Sequence, residues 1–281
     1  MDSLSGKVAL ITGAAAKRGM GHAVASRFAE KGASLAILDK YSAPKSYFSG
    51  DEGWGGLDEV ADEIKSLGRE VLALVADINS SQEVETAIAK TLGEFGSVDI
   101  LVHCAAIRGP MATPIVDLDE KIWREVVDVN LTGTFIIAKA VARSMIEKGR
   151  GGKIVLISSL AANRGVPGSG SYCASKWGVL GLMKTMALEL AQHKINVNAI
   201  NPGTFGTHLR DDFYIQQAKA EGITVDEVRE RHNKQLTEKI PLGRMGVPND
   251  IADLAFYLVT DQSSYITGQA IDICGGWGLS H

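Results

Sequence analysis

The strongest constraint on this chain is a rhythm: short β-branched apolar runs alternate with longer amphipathic stretches along almost its whole length. The runs are Val8–Thr12, Ser34–Asp39, Val71–Asp77, Ile100–Cys104, Lys153–Ser158, Ile195–Ile200 and Ala270–Ile273. Val8-Ala9-Leu10-Ile11 and Ile154-Val155-Leu156-Ile157 are apolar at every position. Half-exposed strands would alternate with polar residues, so these runs predict strands covered on both faces, as in a parallel sheet. The intervening stretches predict helices over 21–31, 57–67, 82–95, 120–147, 171–192 and 249–259. Repeated β-α-β units of this kind predict an α/β fold, a Rossmann-type doubly wound parallel sheet of about seven strands with helices on both faces.

No internal repeat, low-complexity tract or Pro/Gly/Ser-rich linker divides the 281 residues, so the expectation is a single domain over 1–281. Two segments exceed ordinary connections, Tyr41–Gly56 and Thr204–Ile240, and connections this long often carry binding function. The first reads equally well as a decorated surface loop. The second, with a helical stretch around Thr224–Leu236, is read as a substrate lid at about 204–240.

Composition removes several function classes. With 45% hydrophobic and 22% charged residues the chain lies far from the disordered regime. A net charge of −4 argues against nucleic acid or an anionic membrane as partner, since both select a basic surface. Cys104, Cys173 and Cys274 show no metal-ligand spacing, so no metal is expected and a reducing, cytoplasmic setting is the simplest reading. No signal peptide is expected from Met1–Gly6, and no apolar run approaches the roughly 18 residues of a membrane span.

The first strand enters Thr12-Gly13-Ala14-Ala15-Ala16-Lys17-Arg18-Gly19-Met20-Gly21, and a helix follows. Glycines there let backbone turn tightly against a pyrophosphate, which the helix N-terminus attracts with unpaired N–H groups and its positive dipole end. The six-residue step from Gly13 to Gly19 departs from GxGxxG, so the loop is wider than that fingerprint. Asp39 closes the second strand, where a carboxylate accepts hydrogen bonds from the adenosine ribose and repels a 2′-phosphate. NAD is therefore favoured, while Lys17, Arg18 and Lys40 leave NADP open. Asp77, ending the third strand, suits either the adenine amino group or a cap ahead of Ser80-Ser81.

Tyr172 and Lys176 lie four residues apart at the start of a helical stretch, hence on one face. A phenol with a pKa near 10 is a poor base at neutral pH. A cation about 4 Å away contributes roughly 4 kcal/mol at an effective dielectric of 20, enough to bring such a phenol toward the range where acid–base catalysis is efficient. Tyr41 and Lys45 share the spacing, but Pro44 interrupts any helix there. Ser159, at the end of the fifth strand and thirteen residues before Tyr172, is placed to hold a carbonyl or alcohol oxygen; Ser158 is the less suitable neighbour.

Together with Asn130-Leu131-Thr132-Gly133, Asn201-Pro202-Gly203, Thr207, Pro241-Leu242-Gly243-Arg244 and the closing Gly268–Gly276 segment, these residues resemble the short-chain dehydrogenase/reductase family over essentially the whole chain. The resemblance implies a tetrad in which Tyr172 exchanges the proton, Lys176 lowers its pKa and binds the nicotinamide ribose, Ser159 orients the substrate oxygen and Asn130 holds a water leading to solvent. It further implies that Ile78, Ala105 and Ala106 line the nucleotide, and that Pro202, Gly203, Thr204 and Thr207 fix the nicotinamide carboxamide. A dimer or tetramer built through the long helices is also implied. Where the family shows Asn-Asn-Ala-Gly, this chain reads His103-Cys104-Ala105-Ala106. His103 is expected to brace the sheet rather than catalyse, and Cys104 to be a small buried residue.

The reaction so implied is hydride transfer between NAD(H) and a secondary alcohol or its ketone, a small-molecule substrate. Arg108, Arg164, His208 and Arg210 fall in the three segments expected to touch that substrate, and would suit an anion if they converged. The alternatives are an NADP(H)-dependent ketoreductase and a catalytically silent dinucleotide-binding sensor or scaffold. With neither HExxH nor GxSxG present, hydrolase readings fail.

Overall fold

The computed structural model describes residues 3–43 and 51–278. Its first strand, β1 (Val8–Thr12), is buried throughout. Leu10 enters one apolar core, while Ala9 and Ile11 enter another on the opposite face. That two-sided cover is why the run is apolar at every position, and each fully buried Leu or Ile contributes about 1.5–3 kcal/mol.

The chain continues through α1 (Met20–Glu30), β2 (Ser34–Asp39), α2 (Leu57–Ser66), β3 (Val71–Val75), α3 (Ser81–Phe95) and β4 (Ile100–His103). Then follow α4 (Glu120–Val127), α5 (Gly133–Lys148), β5 (Gly152–Ile157), α6 (Gly170–Leu190) and β6 (Ile195–Pro202). The last elements are α7 (Asp211–Glu221), α8 (Val225–Thr237), α9 (Pro248–Val259) and β7 (Ala270–Ile273). Among the described residues the strands form one seven-stranded sheet in the order β3-β2-β1-β4-β5-β6-β7. Every pairing is parallel.

Ile37, Ile64, Phe28 and Ile251 belong to the core beneath α1, α2 and α9, and Val84, Ile137, Val141 and Met183 to the core beneath α3, α5 and α6. Strand order reverses between β1 and β4, and in such sheets a crevice opens there at the carboxyl ends of the strands.

Some boundaries differ from the sequence expectation. The helix expected over 120–147 is two helices, α4 and α5, joined by a wider π turn at Asp128–Thr132. Apolar spacing runs on through that turn, so its presence is invisible in the pattern. β3 stops at Val75 because Asp77 turns the chain, accepting a hydrogen bond from the Asn79 N–H at 2.9 Å. The cap of α3 is Ser80, which accepts from the Glu83 N–H. β6 runs on to Pro202, where it still pairs with Ile273.

The segment expected as a lid holds a short 3₁₀ turn at His208–Arg210, then α7 and α8. Tyr214, Ala218 and Val228 pack there as a small cluster separate from the two sheet cores. After β2, Lys45 and Pro44 lie outside the described residues. From Asp51 the chain returns over the glycine loop, with the Trp54 indole N–H donating to the Ala15 carbonyl at 2.7 Å. Among the described residues no helix is long and apolar enough to cross a membrane.

Candidate active site

The crevice above β1 and β4 begins at the glycine loop. Gly13 has φ +68°, and a Cβ there would stand 2.7 Å from the Ala105 nitrogen. A Cβ at Gly21 would collide with the Gly13 carbonyl. Any side chain at either position would force β1 away from β4 or lift the first turn of α1. Gly19 is the N-cap of α1; no side chain bonds to that end and its first turn carries no acid. The helix terminus is thus left to attract an anion.

Asp39 faces the same crevice. Its carboxylate accepts from the Ala15 N–H at 3.0 Å and the Lys40 N–H at 2.7 Å. Burial pushes its pKa up, and these backbone donors offset the effect only in part. Asp77 pairs with Lys40 at 2.9 Å. Burial opposes charge on Asp77, but the Lys40 ammonium and the Asn79 N–H outweigh it and hold the carboxyl below its usual range. Gly13, Met20, Gly21, Ile78, Ala105, Ala106, Pro202, Gly203 and Thr207 also line the crevice.

Gly19, Lys17, Arg18 and Thr204 do not line it. Arg18, offered by the sequence as a phosphate ligand, pairs with Asp51 at 2.9 Å and Asp211 at 2.8 Å. Lys17 extends over the Trp54 ring, 5.7 Å from its centroid. Thr204 is buried, its backbone carbonyl accepting from Gly246. Burial, working against the Arg18 contact, lifts the Asp211 carboxyl to about 6. Sequence reasoning missed Asp51, Trp54 and Asp211 as partners of the glycine loop, because the Arg18–Asp211 contact spans 193 residues and leaves no local pattern.

At the other end, α6 presents Tyr172 and Lys176 one turn apart, both buried against the crevice. The Lys176 ammonium lies 5.7 Å from the Tyr172 ring centroid and donates to the Ile157 carbonyl at 2.9 Å. Burial lowers the Lys176 pKa, an effect opposed in part by the neighbouring Tyr172 and Cys104. Ser159 follows β5 and lines the crevice, its hydroxyl accepting from the Ala161 N–H at 3.1 Å. Ser158 instead donates to the Lys176 carbonyl at 3.1 Å, tying α6 to the strand end.

The π turn explains itself at Asn130. Fully buried, its side chain accepts from the Ile107 N–H at 2.9 Å and donates to the Ile107 carbonyl at 2.8 Å and to Ser175 Oγ at 3.1 Å. Ser175 in turn donates to the Tyr172 carbonyl at 2.8 Å. One amide therefore locks the loop after β4 to the helix bearing Tyr172. Asn130 does not itself line the crevice, and π turns of this kind often mark functional positions.

His103 sits under this arrangement. Thr12 Oγ1 accepts from the Cys104 and Ala105 N–H groups and shares a 2.7 Å hydrogen bond with His103 Nδ1, while His103 Nε2 is buried without a partner among the described residues. Burial, then the charge of Lys176, drives the imidazole pKa down to about 3. Burial also pushes the Cys104 thiol up to about 12.

Of the basic candidates, Arg108, His208 and Arg210 line the crevice. Arg164 is elsewhere, its guanidinium stacked 4.2 Å from the Trp277 ring centroid. Burial, with the charge of Arg18, pushes His208 down to about 4, so it is neutral at pH 7.

The residues present fit a dinucleotide: an uncapped helix start beside small residues, a buried carboxylate at the next strand end, and a phenol–lysine pair at the far end of one crevice. The comparisons agree. A 2-dehydro-3-deoxy-D-gluconate 5-dehydrogenase of Dickeya dadantii is 34% identical over 275 residues, 98% of this chain and 96% of that protein. A sorbitol dehydrogenase of Cereibacter sphaeroides is 34% identical over 99% of both chains. Among solved structures, a putative short-chain alcohol dehydrogenase from Sinorhizobium meliloti superposes with a TM-score of 0.84 at 34% identity, covering 99% of both chains. Carveol dehydrogenase from Mycobacterium avium, in complex with NAD, gives 0.85 at 30% identity over the full length of both. An actinorhodin polyketide ketoreductase with NADPH gives 0.83 at 31%, over 99% of both. A family model described as enoyl-(acyl carrier protein) reductase matches residues 13–278, and with relatives of this kind spanning nearly the whole sequence, the chain belongs to the short-chain dehydrogenase/reductase family of oxidoreductases.

Proposed function

We propose that this enzyme interconverts a secondary alcohol and its ketone with NAD(H), using Tyr172 as the acid–base. The observation that carries the reading is the placement of Ser159, Tyr172 and Lys176 in one crevice with Asp39 and the glycine loop. A bound nicotinamide dinucleotide would supply the hydride acceptor or donor. Tyr172 Oη takes the hydroxyl proton in oxidation and returns it in reduction. The buried Lys176 ammonium stabilises negative charge on that oxygen, which is worth far more in a dry site than in water. Ser159 Oγ positions the substrate oxygen, and Asn130 keeps Tyr172 in register through Ser175. Asp39 receives the adenosine ribose, Gly13, Met20 and Gly21 the pyrophosphate, Asp77 and Ile78 the adenine end, and Ala105, Ala106, Pro202, Gly203 and Thr207 the nicotinamide end.

NADP(H) is the second reading, supported by Lys40 at the crevice wall beside Asp39 and by a relative holding NADPH. Residues 204–240 serve as the substrate lid. Phe135, Trp177 and Leu188 stand exposed on α5 and α6, a pattern that supports burial of these helices in a homodimer or homotetramer. The free thiols of Cys104, Cys173 and Cys274 support a cytoplasmic setting.

Replacing Tyr172 by Phe removes the proton carrier and little else. Turnover in Tyr172→Phe is expected to fall at least 100-fold with NAD affinity retained. Near-normal turnover in that variant would exclude the assignment.

A further inference from the structure

The basic groups at the substrate end of the crevice are placed unlike several arginines elsewhere on the chain. Arg27, Arg229, Arg231 and Arg244 each pair with a carboxylate. Arg108 and Arg210 belong to no ion pair among the described residues, although both face the interior of the crevice. Arg108 lies on the loop fixed by Asn130, its guanidinium carbon 4.9 Å from the Tyr172 ring centroid, and its Nε is buried without a partner. Arg210 ends the 3₁₀ turn of the lid, and its Nη1 is likewise buried and unpartnered. Burial and the neighbouring Arg108 charge both depress the Arg210 pKa, with Tyr214 opposing them.

Two guanidinium groups brought together out of water are unfavourable unless an anion comes between them. The acids of the crevice do not meet this need. Asp77 pairs with the Lys40 ammonium at the nucleotide end, where Glu125 also acts on that lysine, and Asp39 there accepts from the Ala15 and Lys40 N–H groups. Behind Arg210, His232 contributes no negative charge: its ring packs on Phe213 and Tyr214, and burial and Arg210 hold its pKa below the ordinary value.

Resting on the reaction proposed above, we infer that Arg108 and Arg210 form a subsite for a carboxylate carried by the substrate, so that the enzyme acts on a hydroxy acid or the matching keto acid. One arginine comes from the rigid loop after β4 and the other from the lid. A carboxylate bridging the two forks would draw the lid down over Tyr172 and fix the reacting carbon beside its hydroxyl.

The first test requires no turnover. Succinate, inorganic phosphate and neutral 1,4-butanediol are titrated by calorimetry into the cofactor-saturated enzyme, the Arg108→Met and Arg210→Met variants, and the double variant. Succinate is expected to bind the wild type, to weaken at least tenfold in each single variant, and to leave the double variant without detectable binding. Binding of phosphate but not succinate, succinate binding that survives in the double variant, or no anion binding at all would each overturn the carboxylate subsite. The second test compares kcat/KM for straight-chain and polyhydroxylated hydroxy acids with that for their methyl esters. The acid is expected to lead by at least tenfold in the wild type, mainly through KM, and this ratio is expected to collapse toward one in Arg210→Met. Esters outpacing acids would overturn the subsite and leave the alcohol–ketone reaction standing. Absence of hydride transfer with every acid and ester would instead remove the reaction reading.

Discussion

Arg18 Nη2 stands 2.8 Å from Asp211 Oδ2, joining the glycine loop that precedes α1 to the first residue of α7. The same guanidinium holds Asp51, so one side chain ties the segment after β2, the glycine loop and the start of α7 together. Arg18→Ala is expected to leave Asp211 without this partner and to weaken the packing of α7 and α8 by about 1–2 kcal/mol, the partial exposure of Arg18 keeping the loss modest. Hydrogen exchange over α7 and α8 should quicken by roughly 5- to 30-fold, while exchange in β1, β4 and β5 stays unchanged. Equal acceleration across the whole sheet would show that the clamp supports the global fold rather than α7 and α8.

His103 provides a pH prediction. Its folded pKa of about 3 lies below the unfolded value near 6.5, so the unfolded chain takes up a proton that the native ring refuses. This contribution to stability is complete above about pH 6.5 and is lost progressively as pH falls toward 3. The limiting loss is about 4–5 kcal/mol at 1.36 kcal/mol per pKa unit. In urea unfolding between pH 7.5 and 4.5, His103→Asn should lose stability less steeply than the wild type. Parallel pH dependences would mean that His103 titrates alike in both states.

Asp39 sets the cofactor prediction. A carboxylate bonded to ribose hydroxyls contributes about 1.5–3 kcal/mol, and it repels a phosphate at the same position. Asp39→Asn is therefore expected to lower the NAD-to-NADP ratio of kcat/KM by at least tenfold, chiefly by losing NAD. A wild-type enzyme that already prefers NADP would reverse the cofactor assignment.

The sheet was legible because parallel strands buried on two faces leave a signature in every residue, as in Val8–Ile11. Tyr172 and Lys176 were legible because a single helix fixes their relation, and four residues is its repeat. Other features depend on contacts between distant segments. The π turn at Asp128–Thr132 serves contacts from Asn130 to Ile107 and Ser175, 23 and 45 residues away, so no local pattern announces it. Basicity alone could not separate Arg108 and Arg210, which reach the crevice, from Arg164, which stacks on Trp277, or from Arg18, which two carboxylates claim.

Tyr214, Ala218 and Val228 pack with one another rather than with the layers flanking the strands. Substitutions in this helix pair therefore act on local opening of α7 and α8 more than on whether the protein unfolds. The small cluster of Tyr214, Ala218 and Val228 can therefore tolerate change while the two cores flanking the sheet keep the architecture that holds the glycine loop.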